Sequence, residues 1–155
     1  MSRVRCLLSI VILTMFNLAL FTSCEDNLYY SLYQDMPRME WDSNEPLVFS
    51  IPPAENTLDV VVTLGVRTTT KFRYKDIVAR AELLDGDSVI SSVPLNITLY
   101  QGKGATREGI LLQDNYSKPQ SFHMQAHHNY TLRVTHLMRL NPLDEVQSVG
   151  IIVER

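Results

Sequence analysis

The stretch that decides the fold is residues 58–67, which read Leu-Asp-Val-Val-Val-Thr-Leu-Gly-Val-Arg. Its even-numbered positions are all apolar, and the odd-numbered positions between them carry Asp59, Val61, Thr63, Gly65 and Arg67. Successive side chains of a β-strand point to opposite faces. An alternation with a period of two therefore predicts a strand with one buried and one solvated face.

The same alternation recurs on both sides of this stretch, in segments 47–51, 77–84, 95–99, 130–139 and 149–153. Asp85-Gly86-Asp87 predicts a tight turn that joins segment 77–84 to a further strand at 88–93. After Cys24, no segment keeps a helical period over more than two turns. The pattern predicts an all-β domain over residues 45–155, an antiparallel β-sandwich of about seven or eight strands that follows a cleaved lipoprotein signal peptide.

The first 23 residues have the three regions of a secretory signal peptide. Arg3 and Arg5 supply the positive charge, residues 6–21 are mostly apolar, and small residues precede Cys24. The alternative is an uncleaved transmembrane helix. Residues 6–23 would be a short span, with Asn17 inside it and no basic stop-transfer residues after it, so the cleaved signal is favoured.

The end of this signal, Phe21-Thr22-Ser23-Cys24, resembles a bacterial lipobox, with Phe21 where Leu is usual. In a lipobox the cysteine thiol receives diacylglycerol and becomes the mature N-terminus. Acyl chains such as palmitate then anchor the protein, at about 0.8 kcal/mol for each buried methylene. We therefore expect residues 1–23 to be the signal, Cys24 to be the lipid attachment site, and residues 24–44 to be an anchor and tether.

Cysteine content and charge exclude several classes of protein. The chain has two cysteines, Cys6 and Cys24, and the first leaves with the signal while the second carries lipid. The domain is therefore expected to have neither a free thiol nor a disulfide. Without Arg3 and Arg5 the mature chain has 12 basic and 17 acidic residues, a net charge of −5, so a nucleic-acid partner is not expected.

Signals for catalysis, metal binding and cofactor binding are weak. His123 and His127 have the spacing of two zinc ligands on one helix face, but Pro119 and the surrounding alternation predict a strand–turn–strand instead. His136 falls on the apolar face of its own strand and is predicted to be a core histidine. The two aspartates of the 85–87 turn are turn formers rather than an acid–base pair. We expect no enzyme activity, no cofactor and no metal site.

Two stretches are candidates for contact with partners. Gln101–Gln120 is rich in glycine and is predicted to be a long connection, which is a usual place for function. Basic and aromatic residues interleave in segment 67–75 and predict either a cationic face or an ordinary solvated face. The chain also offers four aromatic candidates for stacking on sugars, so a surface carbohydrate-binding lipoprotein is an alternative function: Trp41, Tyr74, Tyr100 and Tyr116.

As a whole, the mature chain resembles the gliding-motility-associated lipoprotein H family of the Bacteroidota. The order and spacing of its motifs carry the likeness rather than any single motif. These are the lipobox at Cys24, the aromatics of 29–33 ahead of Trp41, the run 64–67 leading into Phe72-Arg73-Tyr74, segment 130–139, then Leu143, Val146 and Val149-Gly150-Ile151.

The resemblance implies a non-enzymatic envelope lipoprotein that is associated with gliding motility and the secretion machinery serving it. It supplies no catalytic residue, and only the lipidated cysteine maps onto this chain, at Cys24. Family members also occur in organisms that do not glide. Acidic runs after the lipidated cysteine resemble a surface-export signal in this phylum, but here only Glu25-Asp26 is present. The periplasmic side of the outer membrane is therefore favoured over the cell surface.

Overall fold

The alternating stretch quoted first forms the centre of a six-stranded sheet. The computed structural model describes residues 27–99, 105–107 and 110–155, with the backbone alone at 105–107 and 110. Its strands are β1 (Leu28–Asp35), β2 (Glu40–Trp41), β3 (Leu47–Ile51), β4 (Leu58–Thr69), β5 (Asp76–Asp85), β6 (Ser88–Thr98), β7 (Ala105–Arg107), β8 (Ile110–Tyr116), β9 (Gln120–Met124), β10 (Tyr130–His136), β11 (Leu143–Asp144) and β12 (Val146–Glu154). One 3₁₀ turn, Pro37–Met39, joins β1 to β2.

Two larger sheets and one small sheet make up the fold. The six-stranded sheet has the order β1-β12-β4-β8-β7, and β9 also pairs with β4. The four-stranded sheet has the order β3-β10-β5-β6, while β2 and β11 form a pair of their own. All the strand pairs are antiparallel. The prediction of an all-β antiparallel sandwich is confirmed.

Strand β4 is long enough to pair with two strands on the same side. Its first half lies beside β9 and its second half beside β8. Ser117 marks the junction, because its N–H donates to the Leu64 carbonyl at 2.8 Å and its hydroxyl accepts from the Leu64 N–H at 3.0 Å. The backbone of β4 is therefore paired with β9 before this junction and with β8 after it.

The core lies between the two large sheets and follows the predicted alternation. Val60, Val62, Leu64 and Val66 of β4 are all buried. They share the core with the inward side of the four-stranded sheet, which contributes Ile77, Ala79, Ala81, Leu83, Leu132 and Val134. Each fully buried Val, Leu or Ile side chain contributes roughly 1.5–3 kcal/mol. This burial fixes the strand faces and leaves the outward faces and the two ends for function.

The tether prediction for residues 24–44 is wrong from residue 28 onward. Strand β1 pairs with β12 from Leu28↔Glu154 to Asp35↔Ser148, and Trp41 lies in the core. The sandwich therefore begins at residue 28 rather than 45. The sequence shows no period here because β1 is an edge strand with partly exposed residues on both faces.

The prediction of one long connection over Gln101–Gln120 is also wrong for the residues that the structure describes there. Residues 110–116 form β8, which pairs with β4, and β7 pairs with β8. The stretch looked like a loop because it is polar, but Asn115 is buried and its amide donates to the Val66 carbonyl and to Thr68 Oγ1. Similarly, the strands predicted at 88–93 and 95–99 are largely one strand, β6, which continues through Pro94 at the open edge of its sheet.

The two ends of the sandwich differ, and we name them for what they carry. The hairpin pole comprises residues 27–29, 52–57, 85–90, 125–129 and Arg155. The cleft pole comprises residues 36–46, 70–75 and 137–145.

Candidate interaction site

The cleft pole contains the clearest concave surface in the described part of the chain. A cavity of about 410 Å³ lies between the 3₁₀ turn, the 70–75 loop and β11. A second cavity of about 690 Å³ extends from the 3₁₀ turn to residues 45–47. Both are lined by Arg38, Glu40 and Pro142, so the two cavities adjoin, and together they are called the cleft.

Backbone strain is concentrated at this cleft. Among the described residues, four non-glycine residues have positive φ, and three of them line the first cavity: Arg38 at 56°, Met39 at 58° and Glu145 at 65°. A non-glycine residue in this region costs about 1–3 kcal/mol and persists only where the surroundings hold it there. Thr69 holds Glu145, since its N–H donates to the Glu145 carbonyl at 2.9 Å and its hydroxyl donates to the Glu145 carboxylate. Strain of this kind is concentrated at ligand-contacting sites.

The cleft is lined by charges of both signs. Lys71 and Arg73 are exposed beside it, and Glu40 and Asp144 belong to the same lining. Arg38 forms an exposed ion pair with Glu40 at 2.9 Å, of the kind that contributes little to stability. A cleft lined this way suits a polar protein surface better than an apolar small molecule.

The cationic strand face that the interleaved pattern of 67–75 left open does not form. Residues 70–75 lie in a loop, and the rings of Phe72 and Tyr74 pack edge-to-face at 5.5 Å against the core. Arg67 stays in β4 and pairs with Asp114 at 2.6 Å on the outward face. The pattern therefore corresponds to a solvated loop at the cleft, with Arg67 separate from it.

A buried polar group supports the floor of the cleft. Trp41 and His136 are each 1% exposed, with ring centroids 5.1 Å apart. The His136 Nε2–H donates to the Trp41 carbonyl and to Asn141 Oδ1, both at 3.0 Å. The Asn141 amide in turn donates to Asp42 Oδ1 at 2.7 Å. The prediction that His136 is a core histidine is confirmed.

The protonation states of this group follow from its surroundings. Burial lowers the pKa of His136, against the opposing effect of its hydrogen bonds to Asn141 and the Trp41 carbonyl. The hydrogen bond from Asn141 lowers the pKa of Asp42, with help from the backbone of Asn44. A neutral imidazole beside an ionised carboxylate is therefore the stable arrangement at neutral pH, and it ties residues 41–44 to the 137–142 loop.

A second feature lies on the outward face of the six-stranded sheet, where four residues form one row across four strands. The register aligns Tyr33, Gly150, Gly65 and Tyr116. The Tyr33 ring lies directly over both glycines, so a Cβ atom at either position would overlap it. Burial, together with the neighbouring Tyr116, raises the pKa of Tyr33 to about 12. The Arg67 guanidinium lies 5.4 Å from the centre of the same ring.

The sequence predicted neither the strained cleft nor the row of Tyr33, Gly150, Gly65 and Tyr116. Gly65 and Gly150 carried the only signals for the second, since a glycine inside a strand marks a close approach. Nothing in the sequence connected either glycine to Tyr33, which lies 32 positions before Gly65. The strained residues of the cleft carried no recognisable signal, because Arg38, Met39 and Glu145 are not residue types that predict positive φ.

The remaining histidines lie at or beside the hairpin pole. His123 pairs with Asp59 and His128 with Asp85, each at 2.8 Å and exposed. The predicted strand–turn–strand is confirmed, since residues 125–129 separate β9 from β10. The 85–87 turn is also confirmed, with Gly86 at φ 58° between β5 and β6. Within the described residues, no three His, Cys, Asp or Glu side chains come close enough to share a metal ion.

The four aromatic candidates for sugar stacking do not share a surface, as far as the structure describes them. Trp41 is buried and Tyr74 is half-buried against the core, so the prediction that Trp41 stacks on sugars is wrong. Tyr116 is 50% exposed. Tyr100 lies outside the described residues, as do Cys24 and the whole predicted signal peptide. The described part of the chain contains no helix with the length and hydropathy needed to cross a bilayer.

The solved structures that resemble this chain differ strongly in sequence. A fructofuranosidase from Schwanniomyces occidentalis complexed with fructose matches 83% of this chain and 34% of its own, with a TM-score of 0.39 and 9% identity. A CocE/NonD family hydrolase from Staphylococcus aureus matches 82% of this chain and 31% of its own, with a TM-score of 0.32 and 11% identity. This chain thus spans about a third of each, and no functional argument follows from them. No curated protein matches the chain.

The fold and its surfaces define a small all-β sandwich protein with a polar cleft at one end. A model of the GldH lipoprotein family matches residues 28–153, which is nearly the whole sandwich. The chain belongs to this family of gliding-motility-associated lipoproteins, and membership implies a membrane-anchored location in the cell envelope. The match begins at the first residue of β1, in agreement with the corrected start of the domain.

Proposed function

We propose that the protein is a non-enzymatic interaction subunit of an envelope complex, anchored by lipid on Cys24 and binding a protein partner at the cleft pole. The complex would be the one that serves gliding motility and its associated secretion. The family supports the setting, and the short acidic run Glu25-Asp26 favours the periplasmic side of the outer membrane.

The observation that carries the proposal is the strain at the cleft. Arg38, Met39 and Glu145 keep side chains at backbone positions where glycine would be more stable. They line one cavity, so the cost is incurred where a partner could contact those side chains.

The test is co-purification of the native lipoprotein from detergent-solubilised envelopes, with and without charge reversal at the cleft. The variant carries Lys71→Glu and Arg73→Glu, both exposed in the 70–75 loop. The matched control carries Arg80→Glu and Lys118→Glu, which make the same change in net charge at exposed positions outside the cleft lining.

The native protein and the control are expected to recover motility or secretion components, and the cleft variant is expected to lose most of them. Equal recovery by both variants would refute the cleft as the contact site. Recovery of glycan-uptake components instead would favour a carbohydrate-binding lipoprotein.

A further inference from the structure

Contacts at the hairpin pole place the start of the domain beside several loops. The Arg155 N–H donates to the Asn27 carbonyl, and the Tyr29 hydroxyl donates to the Pro52 carbonyl, both at 2.8 Å. The His127 N–H donates to the Ala54 carbonyl at 2.8 Å, and His128 pairs with Asp85 at the β5–β6 turn. One end of the sandwich therefore holds the start of β1, the loops 52–57 and 125–129, and the β5–β6 turn.

The distance from the predicted lipid to this pole is bounded by covalent geometry. Strand β1 begins at Leu28, four residues after Cys24. A fully extended chain covers at most about 3.6 Å per residue, so the Cα atom of Cys24 lies within roughly 14 Å of the Cα atom of Leu28. A tether reaching to residue 44 would have allowed roughly 70 Å. Because the domain begins at residue 28 rather than 45, the anchor does not have this longer reach.

The cleft pole cannot come equally close to the anchor. Strand β1 runs away from Leu28 toward Asp35, and a strand rises about 3.3 Å per residue, so its far end is roughly 23 Å further on. The cleft begins at that end, where Gln34 and Asp35 line it, and the 3₁₀ turn follows directly. Because the link is this short, the loops of the hairpin pole lie nearer to the bilayer surface than the cleft does. When the domain turns about Cys24, these loops reach the surface first.

The hairpin pole also carries exposed apolar side chains without an excess of basic ones. Leu28 is 49%, Val89 46% and Ile90 51% exposed. The charged residues of the same pole are mostly acidic: Glu55, Asp85 and Asp87 against Arg155. The short link and the apolar tip, rather than attraction to anionic lipid, would hold this surface at a membrane.

We infer that the hairpin pole lies on the bilayer that carries the Cys24 lipid, with Val89 and Ile90 at the headgroup level and the cleft pole facing away from the membrane. This orientation rests on the lipid anchor of the proposed function. It leaves the strained cleft accessible to a partner in the aqueous compartment.

The test uses the absence of other thiols in the mature chain. Ile90→Cys and Leu140→Cys each add one thiol to the lipidated protein, at exposed apolar positions on opposite poles, with Leu140 59% exposed. Each variant is labelled with an environment-sensitive fluorophore and reconstituted in phosphatidylcholine vesicles, with or without headgroup-attached nitroxide. Substitutions at such exposed sites typically change stability by less than about 0.5 kcal/mol, so both variants should fold.

The nitroxide is expected to quench the label at residue 90 strongly and to leave the label at residue 140 unchanged. Inserting a 20-residue Gly/Ser spacer between Asp26 and Asn27 should remove most of the quenching at residue 90. Equal quenching at the two positions, or undiminished quenching with the spacer, would overturn the inferred orientation. Protein that does not float with the vesicles would overturn the lipid anchor itself, so the two failures are distinguishable.

Discussion

Gly150 and Gly65 are the two residues that let the Tyr33 ring lie flat on the outward face of the six-stranded sheet. A Cβ atom at Gly150 would overlap the base of the ring, whereas one at Gly65 would meet its hydroxyl end. The end of a side chain moves aside more easily than its base. The two glycines are therefore unequal, although both lie in the same row.

We expect Gly150→Ala to lower the free energy of unfolding by about 1–3 kcal/mol, the usual cost of inserting a methyl group into a packed position. Gly65→Ala should cost less, because only the phenol end has to shift. Chemical denaturation of the soluble domain measures both. In a Tyr33→Ala background the cost of Gly150→Ala should largely vanish; an unchanged cost there would mean that the ring is not what the glycine accommodates.

His136 predicts how stability depends on pH. Because burial lowers its pKa in the folded state, the unfolded chain takes up the proton first as the pH falls. Stability is therefore present above about pH 6.5, the ordinary histidine pKa, and is lost as the pH falls below it. We expect the melting temperature to fall between pH 7.5 and pH 5.

The matched variants are His136→Gln and His127→Gln. The first should flatten the pH dependence, even if it lowers the melting temperature at pH 7.5, whereas the second replaces an exposed loop residue and should leave the slope unchanged. The pKa of Asp42 is lowered, so Asp42 takes up its proton only under more acidic conditions and does not change stability above pH 5. An unaltered slope in His136→Gln would refute the assignment.

Among the elements, sequence reasoning identified the strands that have one buried and one solvated face, such as β4, β5 and β10. It failed for β1 and β8, and for physical reasons. An edge strand such as β1 is partly exposed on both faces, so its residues do not alternate. Strand β8 buries Asn115, whose hydrogen-bond partners in β4 are almost 50 residues away. Long-range hydrogen bonding of this kind leaves no local pattern.

The difference between a tether and a strand gives a direct test. We expect a soluble chain that begins at Asn27 to fold and one that begins at Met36 to lose at least about 3 kcal/mol. The shorter chain lacks the pairing of β1 with β12 and the packing of the half-buried Tyr30 and Tyr33. A fully buried apolar side chain contributes roughly 1.5–3 kcal/mol, so two half-buried rings together with the lost strand pairing give a loss of this order. Thermal unfolding by circular dichroism compares the two. Equal melting temperatures would restore the tether interpretation.

At the scale of the whole molecule, folding and membrane attachment depend on different parts of the chain. The core lies within residues 36–153, and the predicted anchor lies before β1. We therefore expect Cys24→Ala to move the protein out of the membrane fraction while leaving its melting temperature within about 2 °C of a soluble wild-type domain, since no core contact changes. Fractionation and calorimetry measure the two effects. Retention in the membrane, or an unmodified sulfur at Cys24 by mass spectrometry, would contradict the anchor.

The open edge of β6 matters when many copies of the protein lie close together on one membrane. Lipoproteins confined to a membrane surface meet one another far more often than they would in solution. A strand of 11 residues whose outer edge has no strand partner among the described residues is a template for polymerisation. Pro94 lies in the middle of that edge and withholds an N–H donor from it. A neighbouring copy that pairs along β6 would therefore meet a gap in the hydrogen-bond ladder at Pro94, which disfavours the growth of fibres under crowding.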